Sequence, residues 1–161
     1  MKVNRRDFAK QLAVACIWPL LPLQNTIMQP VNGVITLASP FGVKETIDRL
    51  QVFLLEQGAT VYARIDQQKE VEKTGQQLHP LEFLLFGNPK AGGPLMQRNM
   101  LIALDLPLKI IAWEDLSGKT FVAFNDPGYM EKKYALTKQT AAPFDIGTLI
   151  LKSLNLQSPK Q

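Results

Sequence analysis

The sequence predicts an α+β fold in which helices cover one face of a largely antiparallel sheet. Three observations predict it. Apolar residues make up 46% of the 161 residues and charged residues 20%, which supports a single globular core rather than a disordered or fibrous chain. The apolar pattern alternates between the two-residue repeat of strands and the three-to-four-residue repeat of a helix. The elements fall in the order strand, helix, four further strands, helix, and the strand-to-strand links are local.

Each element has its own signal. Gly33 to Ala38 is rich in β-branched residues and reads as the first strand. Ser39-Pro40 reads as a helix cap with proline in the first turn. Val43, Ile47, Leu50 and Leu54 then form one apolar stripe of a helix ending at Gly58. Glu45 and Asp48 lie near its amino end, where the helix dipole favours negative charge. Ala59 to Asp66 alternates and predicts a half-buried strand. Gln67 to Thr74 predicts a short exposed helix stopped by Gly75, and Leu81 to Phe86 a buried strand. Gly87 to Pro94 reads as a rigid loop, with a helical turn or two over Leu95 to Met100. Leu106 to Trp113 and Thr120 to Phe124 form a hairpin around Asp115–Lys119. Pro127 to Leu136 predicts the last helix of the domain, residues 33–136. Residues 137–161 form a tail in which Ile146, Leu149, Ile150 and Leu154 predict a short amphipathic helix.

Residues 1–25 differ from the rest. Lys2, Arg5, Arg6 and Lys10 stand against Asp7, and an apolar run from Leu12 to Leu23 follows, interrupted by Pro19 and Pro22. This is the plan of an export leader. The run is too short for an ordinary spanning helix of about 20 residues. Asn4-Arg5-Arg6-Asp7-Phe8-Ala9-Lys10 resembles a twin-arginine signal, with Asn4 and Ala9 in place of the usual serine and leucine. An amphipathic amino-terminal anchor or a general secretory signal is the alternative reading. The expected location is the bacterial periplasm or another exported site, with membrane contact only through an uncleaved leader. Cys16 reads as part of the apolar run. The chain's net charge of +4 belongs largely to this leader: without it, 14 cations face 13 anions. Counterion release from nucleic acid needs a cluster of cations, so nucleic acid is not an expected partner.

Several chemistries lack their residues. One cysteine cannot form an internal disulfide, and one histidine cannot build a multi-histidine metal site. Gly87 to Gly92 begins like a phosphate-binding loop, but Gly93 and Pro94 stand where lysine and serine or threonine are needed. Neither Ser39 nor Ser117 lies in a nucleophile elbow, and His79 reads as a solvated loop residue. Two constellations remain. Asn88, Lys90, Gly92, Met96, Asp105 and Trp113 are candidate ligand-binding residues, since glycine lets a backbone approach a ligand and proline fixes the shape of the segment. The same segment also suits a crossover between layers or a homodimer contact. Asp66, Asp105 and Glu114 are candidate carboxylates for metal-assisted or acid–base chemistry if they converge. Otherwise Asp66 and Asp115 cap turns, and Asp105 pairs with Arg98 or a backbone donor.

Arg64-Ile65-Asp66, Phe86-Gly87-Asn88-Pro89-Lys90-Ala91-Gly92, Pro94-Leu95-Met96-Gln97, Ala103-Leu104-Asp105-Leu106-Pro107-Leu108-Lys109 and Trp113-Glu114-Asp115 together resemble the domain of unknown function 302 family. The likeness spans about Val34 to Leu136. It implies a TATA-binding-protein-like fold, β-α-β(4)-α, in keeping with the order read above. It implies no reaction, because the family has no established activity. Relatives often carry histidine where Gln67 and Tyr134 stand and threonine at Gly93, so any metal or haem held by those histidines is not expected here. The expected function is an exported module that binds a small ligand or metabolite in a groove near Gly87–Met96. The alternative is a metal-assisted hydrolase or lyase using the three carboxylates. The ligand and any cofactor are unknown from the sequence.

Overall fold

The computed structural model describes residues 27–156. The basic start, apolar run and Cys16 assigned to a leader lie outside them. The elements are β1 (Ile27–Val31), β2 (Val34–Ser39), α1 (Val43–Glu56), β3 (Thr60–Asp66), α2 (Gln67–Glu72), β4 (Leu81–Gly87), α3 (Pro89–Arg98), β5 (Leu108–Glu114), β6 (Thr120–Asn125), α4 (Pro127–Lys133), α5 (Lys138–Ala141) and α6 (Gly147–Ser153). Short 3-10 turns fill Met100–Leu104 and Ala142–Phe144.

The strands form one antiparallel sheet in the order β1-β2-β6-β5-β4-β3. The α+β architecture is therefore the predicted one, with one strand more than expected. That strand, β1, joins β2 through Asn32-Gly33, both at positive φ (53° and 80°). Asn-Gly suits the tight hairpin turn whose twist matches that of the strands. A Cβ on Gly33 would come within 2.5–2.8 Å of the Tyr129 ring, so glycine is needed for packing as well as for its backbone angle.

The predicted stripe of α1 is its buried face: Val43, Ile47, Leu50 and Leu54 are all buried. They meet Leu84, Ile110, Ala112, Val122 and Phe124 on the covered side of the sheet. Burial alternates along β5, with Leu108, Ile110 and Ala112 inward and Lys109, Ile111 and Trp113 on the other face.

Three local expectations differ from the structure. Ser39 does not cap α1; Gly42 occupies that position with no side-chain cap. Ser39 Oγ instead accepts from the Phe41 amide and lies 2.6 Å from Thr46 Oγ1. The segment expected as a rigid loop is helical from Pro89, because Asn88 caps it and Pro89 needs no amide partner in the first turn. The expected tail packs into the core: Ala141, Phe144, Ile146, Ile150 and Leu154 are all buried.

Candidate functional site

Two concave regions hold residues singled out in the sequence. The first is a cavity of about 230 Å³ between the end of α1, the start of α3 and α6. Leu54, Phe86, Gly92, Leu108 and Ile146 form its buried floor, and Leu106 and Leu149 its half-buried walls. Gln57, Asn88 and Asp145 stand exposed at the rim. Gly92 lies close to Leu106: an added Cβ would meet Leu106 Cδ1 at 3.2 Å. Asn88 Oδ1 accepts from the Lys90 amide at 3.0 Å, which fixes the first turn of α3 at the mouth.

Of the six candidate ligand-binding residues, Asn88 and Gly92 line this cavity. Lys90 is exposed on α3, and Lys90, Met96, Asp105 and Trp113 are not among the lining residues. Trp113 is directed to the opposite side of the sheet by the strand alternation, where it stacks on Phe121 with ring centroids 5.5 Å apart. The sequence reading missed Leu54, Phe86, Ile146 and Leu149 as cavity residues. Their apolar periodicity was legible, but which element would face which was not.

Asp105 does not pair with Arg98. Its carboxylate accepts from Lys133 Nζ at 2.7 Å and from the Tyr134 hydroxyl. Burial pushes the Asp105 carboxyl up, but the hydrogen bonds from Lys133 and Tyr134 outweigh it and hold its pKa below the usual carboxylate range. Burial and the bond to Asp105 push the Tyr134 hydroxyl up.

The second region is a broad open cleft of about 870 Å³ across the ends of α1, β3 and β4. Asp66 and Glu114 both line it; Asp105 does not. The three-carboxylate constellation is therefore not formed. Asp66 caps α2 by accepting from the Lys69 amide at 3.0 Å and also pairs with Lys69 Nζ. Hydrogen bonds from the Lys69 side chain and amide lower its pKa.

Arg64, which also lines the cleft, bridges Glu82 on β4 and Asp48 on α1, and Lys44 also holds Asp48. Hydrogen bonds from Lys44 and Arg64 lower the pKa of Asp48. Charges so engaged tie the helix to the sheet and leave few donors for a cation. Among the described residues no group of three His, Cys, Asp or Glu side chains is placed to hold a metal ion. Asp115 caps its turn, accepting from the amides of Ser117 and Lys119.

Comparison with known proteins agrees with this architecture. The chain is 38% identical over 105 residues to proteins named fluoride-specific ion channel FluC 1 in Brucella suis biovar 1 (strain 1330) and Brucella abortus biovar 1 (strain 9-941). The match covers 65% of this chain but 41% and 39% of those proteins, so the chain spans about two fifths of the length of the curated relatives it matches. The crystal structure of an uncharacterized conserved protein DUF302 from Bacillus stearothermophilus superposes with a TM-score of 0.65 at 23% identity. That match covers 78% of this chain and 98% of the other, and it shows a shared fold. Residues 35–145 match the family model described as domain of unknown function DUF302, and the chain belongs to that family.

Proposed function

We propose that this chain is an exported module that binds a small ligand in the cavity between α1, α3 and α6. The observation that carries the reading is the division of that cavity into a buried apolar floor and an exposed polar rim of Gln57, Asn88 and Asp145. Such a site suits a molecule with a compact apolar body and one polar end. Its volume of about 230 Å³ exceeds the ~150 Å³ apolar cavity that accepts benzene. The twin-arginine-like leader supports export. The channel activity named for the Brucella proteins belongs to chains of which this one spans about two fifths.

The test is a thermal-shift screen of small amphiphilic metabolites, joined to native mass spectrometry of protein purified from a bacterial envelope. A ligand at about 100 times its Kd should raise the melting temperature by roughly 5–10 °C. Ala91 is exposed and lines the cavity, so Ala91→Leu narrows the mouth without disturbing the core. The variant should keep the unliganded melting temperature and lose the shift. A screen without a hit, or equal shifts in both proteins, would refute the reading.

A further inference from the structure

The 3-10 turn Met100–Leu104 holds three large apolar side chains out in water. Met100 is 78% exposed, Leu101 64% and Leu104 70%, while Ile102 between them is 0% exposed. The turn is held in place from beneath. Asn99 Oδ1 accepts from the Leu101 amide at 3.0 Å. Lys109 Nζ donates to the Leu104 carbonyl at 3.2 Å. Ile102 anchors the turn in the core. One side is thus fixed and the other bare. The charged residues beside it are mostly cationic: Arg98 ends α3, Lys109 holds the turn, and Lys133 holds Asp105. Asp105, the carboxylate in this set, and Lys133 pair with each other, so Arg98 and Lys109 are the cations of the set that offer charge to a surface.

We propose that this turn is a membrane-contact site, seating Met100, Leu101 and Leu104 among the acyl chains of an anionic lipid surface. Apolar side chains with cations beside them match the two parts of that surface: apolar groups enter the acyl boundary and cations meet the headgroups. A protein partner fits less well. The patch comes from one five-residue turn, far short of the ~800 Å² per partner of a standard interface. Fluid lipid needs no matching surface. The site is separate from the ligand cavity, which none of the three side chains lines. It is also remote from the leader's point of attachment. Ile27 pairs with Leu37, towards the sheet end that holds Ser39 and Glu114, whereas the turn leads into Leu108 at the other end.

The test uses the full chain with Cys16→Ser and an environment-sensitive dye on Leu104→Cys. The probes are phosphatidylcholine vesicles with and without phosphatidylglycerol. The same dye on Leu116→Cys, in the β5–β6 turn, serves as the control. Dye emission at position 104 should shift to the blue with the anionic vesicles and stay unchanged at position 116. Leu101→Asp in the labelled chain should weaken that response about tenfold or more, as expected for losing one buried apolar side chain. Circular dichroism should show this exposed-site variant folded.

Three results would overturn the proposal. The chain floats with vesicles while the dye at 104 remains in water, leaving the leader as the membrane contact. The shift at 104 appears without lipid and grows with protein concentration, which indicates a second copy. Both dye positions respond alike, which indicates unspecific adsorption.

Discussion

Asp105 stands between Leu104 and Leu106, and its side-chain partners explain why a carboxylate is kept in an apolar stretch. Lys133 and Tyr134 lie 28 and 29 residues away in the sequence, so no local spacing pointed to them. Asp105→Asn should lower stability by about 1–3 kcal/mol at neutral pH, since it weakens two charge-assisted bonds. The folded-state pKa of Asp105 is depressed below an unfolded value near ~3.9. Its contribution is therefore present above about pH 4 and is lost as pH falls through the depressed pKa. Urea unfolding of both proteins from neutral pH into the acid range should show the stability gap closing there. A gap unchanged into strong acid would contradict the assignment.

At the scale of elements, legibility followed how local the signal was. The stripe of α1 was readable because burial of one helix face imposes its period on the sequence. α3 was misread although Asn88-Pro89 is a recognised start signal, because Gly92, Gly93 and Pro94 also read as breakers. The helix accommodates them for reasons outside its own sequence. Gly92 is buried against Leu106, where a side chain would crowd, and Pro94 is exposed. Asn88→Ala should cost about 1 kcal/mol by removing the cap, whereas Asn88→Asp should retain most of it. Chemical denaturation of the pair checks this, and equal losses would argue against capping. β1 was legible in principle: Asn32-Gly33 is a strong hairpin signal, but its strand follows directly on the segment read as a leader.

For the molecule as a whole, the segment after Leu136 is part of the fold. Phe144, Ile150 and Leu154 are buried in the same cluster as Ile47, Leu50 and Leu54 of α1. Phe144→Ala should cost about 3–5 kcal/mol, a large part of the total stability of an ordinary domain. Equilibrium unfolding measures this directly. A loss below about 1 kcal/mol would mean that the segment is a dispensable appendage.

The sequence by itself determined the α+β class, the order of the five strands within residues 33–136, the buried stripe of α1 and the family likeness. Each rests on neighbours a few residues apart, where backbone periodicity and capping act. The tertiary structure decided that Asn88 and Gly92 share a cavity with Leu54 and Ile146, that Trp113 faces the other side of the sheet, and that Asp105 is separated from Asp66 and Glu114. It also decided that Ile102 goes inward while Met100, Leu101 and Leu104 stay in water. These outcomes depend on which strand lies beside which and on which face a distant helix covers, and no short-range pattern encodes either.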